Sequence, residues 1–414
     1  MAYPTLEKIF HADASSDRYA HHRELAISRL ESESTFRTGI ELDAGELFLA
    51  VPRELSLLNE RVLRRERRVS KLWRSLPIAA LGAYIRTLIL DEVVYSNEIE
   101  GVHSTRRDIE RALEEAKSTM PAAGGEGRHA PFFEFAKLYL GLTDGPEPPE
   151  TLQDIRDIYD SVVMDALAEE NRLGDSLFRS GQVVVQNGFG RVVHVGVSPE
   201  SRIEEMLTQW LALSRSEEIP ETYSALLCHF LFGYIHPFYD GNGRTGRYLL
   251  ALHLSRPLSQ PTVLSLSRVI AENKGAYYRA FDAAEKKLNC GEGTHFVMTM
   301  LDLVAEAQME LIADLEEKRQ LLEELEARID ARPWSISKRA LNVLFYAAQM
   351  EVFDAFRETR LADVASWLRV SKPTARKAFD ELIAEGLLVK VSQRPPVFRM
   401  TDLGKTLLGL EAGK

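Results

Sequence analysis

Twelve consecutive residues, His236-Pro237-Phe238-Tyr239-Asp240-Gly241-Asn242-Gly243-Arg244-Thr245-Gly246-Arg247, gather a general-base candidate, a carboxylate, three glycines and two arginines. A histidine takes a proton near neutral pH, so His236 can activate a hydroxyl. Asp240 offers the hard oxygen that Mg²⁺ prefers. Arg244 and Arg247, three residues apart, share one face of a helix and can fork onto phosphate oxygens. Gly241 and Gly243 permit positive φ, which lets successive N–H groups converge on an anion. The following apolar run, Arg247 to Leu254, predicts a helix whose N-terminal dipole points at the same spot. Together these residues describe a site that transfers part of a nucleotide. Gly241 to Gly246 formally matches G-x-G-x-x-G, but it follows a helical run, Tyr223 to Ile235, and not a strand, so a dinucleotide fold fails its context test. The chain contains no G-x-x-x-x-G-K-[ST] phosphate loop.

The pattern H-P-F-x-D-G-N-G-R-x-x-R closely resembles the signature of the Fic (Fic/Doc) family of protein adenylyltransferases. The resemblance implies transfer of AMP from ATP to a Tyr, Ser or Thr hydroxyl of a target protein, or of the chain itself. It implies His236 as base and Asp240 as ligand of Mg²⁺ (or Mn²⁺). Gly241, Asn242, Gly243 and Arg244 would bind the phosphates, and Arg247 the γ-phosphate. Relatives with Lys at the position of Gly243 resemble the phosphate-transferring Doc toxins, so Gly243 favours AMP transfer. Upstream, Ser96-x-x-x-Glu100-Gly101 matches the inhibitory motif of the members whose regulatory helix lies N-terminal to the core (class II type). Glu100 would pair with Arg247 and occupy the place of the γ-phosphate. Position is most of catalysis in such transfers, so a displaced phosphate would leave the α-phosphorus badly aimed. The same site could run in reverse, removing AMP with Glu100 positioning water.

Two β-rich runs, Gln182 to Gln186 and Arg191 to Val195, flank Asn187-Gly188, a hairpin signal. By resemblance this is the flap (183–195) that holds the target segment by strand addition, with Val183, Val184, Val185 and Gln186 as its contact edge; His194 is expected on the hairpin surface. Tyr277 and Tyr278 would line the adenine side, but neighbours at i, i+1 cannot both face one pocket, so one of them should be core. Glu285 stands where relatives often carry Asn, an acceptor-only carboxylate in place of an amide. His229, seven residues before His236 and without further ligands nearby, reads as a core histidine.

The elements that must position this site fill a chain of 414 residues, enough for more than one domain. The expected class is mainly α: a Fic-type helical core with a β-hairpin flap, plus a C-terminal winged helix-turn-helix. The expected division is 1–130, an N-terminal helical region with the inhibitory motif; 131–310, the catalytic core; 311–333, a linking helix; and 334–414, the winged helix. Residues 1–50 read as mixed with helical stretches. Leu55 to Ser75 reads as a helix whose basic face (Arg61, Arg64, Arg65, Arg67, Arg68, Lys71) is either solvated and paired with Glu or available to nucleic acid. Thr294 to Asp330 reads as one long helix, with Leu315, Leu322 and Leu325 as a seam for another helix or for a second subunit in a homodimer. Residues 334–414 hold 13 Lys and Arg against 9 Asp and Glu, a balance of +4 in a chain of net charge −11. Lys372, Thr374, Arg376 and Lys377 open the helix that would meet DNA or a protein partner. A nucleotide-responsive DNA-binding regulator is therefore the rival function. With no apolar run long enough for a bilayer, no signal peptide and only Cys228 and Cys290, the expected setting is cytoplasmic, without a membrane, disulfides or a Cys-rich zinc site.

Overall fold

Helix-spaced apolar positions dominate the chain, and the computed structural model is mainly helical. It describes residues 3–118, 130–142, 145–163, 167, 169–174, 176–186, 190 and 192–410. The chain divides into two compact units, residues 1–67 with 89–309 and residues 68–88 with 310–414. Among the described residues, no helix is long and apolar enough to cross a membrane.

The first unit opens with α1 (Leu6–Ala12) and α2 (Arg18–Leu30), then β1 (Thr35–Leu42) and β2 (Gly45–Ala50), which pair antiparallel with Thr35 opposite Ala50 and Leu42 opposite Gly45. The expectation for residues 1–50 is a mixed region with helical stretches, and the hairpin is an element that it does not specify. Leu47 to Ala50 are all buried, so β2 has no apolar–polar alternation to betray it. Next come α3 (Arg53–Arg74), α4 (Ile78–Ile99), α5 (Arg106–Ser118), α6 (Phe133–Gly141) and α7 (Leu152–Val163). The basic face of α3 is largely paired: Arg64 and Arg67 with Glu60, Arg68 with Glu316, Arg65 with the Ala305 carbonyl. Thr105 and Asp108 cap α5 reciprocally, Asp108 Oδ2 accepting from Thr105 N at 3.0 Å and Thr105 Oγ1 accepting from Asp108 N at 3.2 Å.

The short hairpin β3 (Val184–Gln186) and β4 (Val192–Val195) precedes α8 (Glu200–Ser214), α9 (Glu221–Ile235) and α10 (Asn242–Leu254). Helix α9 is apolar on every face and accordingly central, with all but Glu221 and Gly233 buried. It packs between α8 and α10, and Trp210 Nε1 donates to the Cys228 carbonyl across the α8–α9 contact at 2.8 Å. Burying a residue such as Leu226 or Phe230 contributes about 1.5–3 kcal/mol, and this helix buries six such side chains. The unit closes with α11 (Gln260–Val263), α12 (Leu266–Glu272), α13 (Lys274–Glu285) and the first part of α14 (Thr294–Asp330).

The second unit takes the end of α3, the start of α4 and the rest of α14. It adds α15 (Lys338–Phe353), β5 (Thr359–Arg360), α16 (Leu361–Trp367), α17 (Lys372–Ala384), β6 (Leu388–Gln393), β7 (Pro396–Met400) and α18 (Asp402–Leu408). The three strands form one antiparallel sheet in the order β5-β7-β6. Ser371 caps α17, its hydroxyl accepting from Thr374 N, and Gly386 (φ 70°) turns the chain into β6. Phe379 stacks on Phe398 at 4.1 Å, joining helix to sheet.

Candidate functional site

Helix α9 stops at His236 because Pro237 disfavours helical backbone in the residue before it. His236 takes left-handed backbone (φ 52°) and its N–H still bonds the Phe232 carbonyl at 3.0 Å. The loop that follows is fastened from three sides. Phe238 is fully buried and stacks on Tyr159 of α7 at 3.6 Å. The Asn242 amide accepts from Phe238 N (2.9 Å) and donates to Phe238 O (2.8 Å), closing the loop onto the first residue of α10. Gly241 has φ 81°, and a Cβ there would overlap Val163, so both backbone and space demand glycine. Gly243 corrects its expectation. It lies within α10 without positive φ, and a Cβ there would overlap the Glu100 carboxylate, so a side chain at this position would displace Glu100.

A guanidinium that the sequence did not single out braces the whole arrangement. Arg179 is 1% exposed, and donates to the carbonyls of His236, Gly181 and Val197, each at 2.7 Å, and of Ile235 at 3.3 Å. Burial pulls its pKa below the usual arginine value. Gly196 makes room for it, since a Cβ at that position would overlap the guanidinium. A buried arginine serving only carbonyls leaves no charge partner to look for in the sequence.

The two arginines of α10 have different surroundings. Arg247 is engaged at all three guanidinium nitrogens by the end of α4: Nη1 donates to Glu100 Oε1 (2.7 Å), Nε to Ser96 Oγ (3.0 Å) and Nη2 to the Ser96 carbonyl (2.7 Å). Burial would lower its pKa, but the Glu100 charge raises it above the ordinary value. Burial would likewise raise the Glu100 carboxyl, yet Arg247, with help from Arg244, holds it below the usual carboxylate range. Arg244 is 1% exposed, and its Nε and Nη1 have no hydrogen-bond partner among the described residues. Buried donors without partners are costly, and an anion at the helix N-terminus would satisfy them. Asp240 is exposed, with Oδ1 accepting from Gly241 N at 2.6 Å. One carboxylate beside a turn whose donors could take phosphate fits Mg²⁺, which is usually held by one or two carboxylates and the substrate's phosphates. Among the described residues, no cluster of three or more His, Cys, Asp or Glu could hold a metal unaided.

The remaining predicted residues divide. Tyr277 is the core member of its pair, its hydroxyl donating to His229 Nε2 at 2.8 Å, while His229 Nδ1 donates to Gly246 O at 3.1 Å. Tyr278 is 48% exposed. In the hairpin, Val184 pairs with Val195, Val185 with His194 and Gln186 with Val192, and Gly196 N bonds the Val183 carbonyl. The Asn187-Gly188 turn lies outside the described residues. Gly181 N donates to the Tyr239 hydroxyl at 3.0 Å, which ties the approach to β3 to the His236 loop. His194 departs from its expectation as a surface residue. It is half-buried between the Glu285 carboxylate (2.7 Å) and the Tyr234 carbonyl (2.8 Å), with its ring 6.0 Å from that of His236. Glu285, the departure from the usual Asn, is thus engaged by the hairpin.

Burial, with the nearby His194, lowers the His236 pKa to about 4, so its ring is neutral and able to accept a proton at physiological pH. Burial also lowers His229 to about 3 and His253 to about 4. In the unfolded chain such groups titrate near about 6.5. Between about pH 6.5 and 4 the unfolded state therefore binds more protons, and stability is complete above this window and lost as pH falls through it. Thermal unfolding at about pH 5 should come about 5 °C or more below that at about pH 7, and replacing His253 by Gln should shrink the gap.

With this geometry in hand, comparison with known proteins is informative. Residues 149–254 match the model of the Fic/DOC family, a stretch that spans α7 to α10 and includes the hairpin and the His236 loop. "Protein adenylyltransferase Fic" of Nematostella vectensis is 28% identical over 221 residues, covering 52% of this chain and 49% of that protein. "Protein adenylyltransferase fic-1" of Caenorhabditis elegans is 33% identical over 111 residues, covering 25% of this chain and 20% of that protein. The chain thus spans about half or less of the length of these curated relatives. A crystal structure of a Fic family protein from Desulfovibrio desulfuricans G20 superposes with a TM-score of 0.51 at 18% identity, covering 85% of this chain and 97% of that one, a likeness of fold. The stretch similar to the Fic/DOC family is thus residues 149–254, which include the His236 loop and both arginines of α10.

Proposed function

We propose that this protein is a protein adenylyltransferase that moves AMP from ATP onto a hydroxyl side chain of a target protein or of itself, and that Glu100 restrains it. The observation that carries the reading is the contrast within one helix turn: Arg244 is buried with unsatisfied donors, and Arg247 is fully engaged by Ser96 and Glu100. The turn is built for phosphate, and one of its phosphate ligands is held in reserve. Relatives named protein adenylyltransferase support the reading.

In the reaction, the target hydroxyl attacks the α-phosphorus in line with the bond to the oxygen that joins the α- and β-phosphates, which departs as a terminal oxygen of pyrophosphate. His236 takes the hydroxyl proton, the new oxygen–phosphorus bond forms, and pyrophosphate leaves with the electrons of the broken bond. Arg244 and the free N–H groups at the start of α10 neutralise the phosphates, Gly243 providing room. Asn242 contributes through its backbone, because its side chain is spent on Phe238. Asp240 would hold Mg²⁺ (or Mn²⁺), which supplies charge neutralisation on the phosphates when bound. Strand β3, with Val183 to Gln186, would pair with the target segment, and Tyr278, the exposed ring, would cover the adenine. The direct test follows the label. α-Labelled ATP should mark protein in the presence of Mg²⁺ while γ-labelled ATP should not; label from the γ-position alone would point to phosphate transfer and sink the proposal.

The basic face of α17 favours a second activity. Lys372, Arg376 and Lys377 are all exposed on the helix that follows the tight turn after α16, as in a winged helix reading DNA. Binding to mixed-sequence duplex should weaken steeply with salt, and replacing all three residues by Ala should lower affinity at least about tenfold. Unchanged affinity would assign this face to a protein partner or to none.

A further inference from the structure

A hairpin of three and four residues is marginal by itself. Val184, Val192, Val193 and Val195 are exposed along it, so apolar burial does little to hold β3 and β4 in place. Main-chain bonds from Gly196 N to Val183 O and from Val197 N to Ile235 O fix the base of the hairpin. Along β4 the anchoring side chain is His194. Its Nδ1 lies 2.7 Å from Glu285 Oε2 at the end of α13, and its Nε2 lies 2.8 Å from the Tyr234 carbonyl near the end of α9. The two side chains are 10% and 18% exposed, so water competes weakly for these bonds.

Both partners are acceptors. A carbonyl carries no proton, and neither does an ionised carboxylate. A neutral imidazole has one N–H and one lone pair, so either tautomer would set a lone pair against an oxygen. Only the imidazolium donates to both. The titratable groups facing this ring are Glu285 from α13, Tyr234 from α9 (ring at 5.6 Å) and His236 just beyond α9 (ring at 6.0 Å). Asp43, Glu285 and Arg202 act on Tyr234 in turn.

We propose that His194 is a positioning residue: as an imidazolium it clamps β4 to the ends of α9 and α13, and its deprotonation releases the hairpin. The clamp joins three parts of the site, namely the strand pair, the helix end that presents His236, and the helix that carries Tyr277 and Tyr278. The charge of His194 also keeps the neighbouring His236 neutral, after burial the next cause of its lowered pKa. Glu285 is what makes the device sensitive to pH. A glutamine there could donate to a neutral His194 Nδ1 while His194 Nε2–H still served Tyr234, so the clamp would persist without the charge. The significance for target binding rests on the adenylyltransferase reading; the clamp itself does not.

The experiment uses the full-length, nucleotide-free protein. Ring ¹⁵N spectra, with His194 assigned by its loss in His194→Ala, should show both nitrogens protonated at about pH 6 and one at about pH 8.5. Amide exchange of residues 183–186 and 192–195, corrected for intrinsic pH dependence, should accelerate about tenfold over the same interval, the worth of one charged hydrogen bond. His194→Ala should exchange fast at both pH values, and Glu285→Gln slowly at both. A single protonated ring nitrogen at about pH 6, equal wild-type protection at the two pH values, or full protection in His194→Ala would each overturn the clamp. Label transfer measured alongside separates the two ideas: if exchange behaves as stated and no form of the protein transfers AMP, the clamp stands and the adenylyltransferase reading falls.

Discussion

Replacing Glu100 by glycine is expected to raise AMP transfer from α-labelled ATP by about tenfold or more, each tenfold corresponding to about 1.4 kcal/mol of barrier. On the proposed reading the carboxylate would block the site in two ways. It occupies Arg247 Nη1, and it sits so close to Gly243 that a Cβ there would overlap it. A γ-phosphate entering this turn meets a like charge in the place where it needs a cation. Glycine at position 100 removes both obstacles without unseating Arg247, since the Ser96 hydroxyl and carbonyl still hold Nε and Nη2. The freed Nη1 then faces the phosphate. The unpaired guanidinium should cost stability in the nucleotide-free protein, and ATP should restore it, so the Tm gain on adding ATP should be larger in Glu100→Gly than in wild type. Equal labelling by the two proteins would mean that the Glu100–Arg247 pair is structural and that autoinhibition is wrong.

In the Glu100→Gly background, His236→Ala should lower transfer by about 10²–10⁴-fold, the usual worth of a general base. Binding of ATP should change little, because the phosphate ligands lie on α10 and the ring of His236 is neutral. Alanine retains a Cβ at φ 52°, so the backbone strain of this position is unchanged and the loop should keep its shape. The pH profile of the active background should carry the same message. Activity should hold as pH falls below the usual histidine range and fail only toward about pH 4, where His236 protonates in the folded protein. Full activity in His236→Ala would remove this residue from the chemistry, whatever its place in the loop.

The shape of the candidate site was legible in the sequence where it is local. A proline after a helix, glycines in a turn and two arginines one helical turn apart constrain the backbone through their nearest neighbours. For that reason the loop and the general positions of α9 and α10 could be read directly, although α10 begins at Asn242, ahead of the apolar run from Arg247 that marked it. The core character of His229 and of one of the two adjacent tyrosines followed from helical spacing in the same way. The mainly helical class was equally visible, since periodicity over long helices such as α14 is a strong signal.

What the tertiary structure decided are the pairings between distant residues. Arg247 and Glu100 are 147 positions apart, and spacing says nothing of a contact across that distance; only the motif resemblance suggested it. The reason for Gly243 changed from backbone freedom to the approach of Glu100, which no reading of the turn alone contains. Asn242 turned inward to Phe238, Arg179 was recruited to four carbonyls, and His194 left the surface for Glu285, 91 positions away. The β1–β2 hairpin escaped notice because burial on both faces of β2 erases the alternation that marks a strand. In each case the side chain's chemistry is written in its type, while its partner is chosen by packing that brings remote segments together.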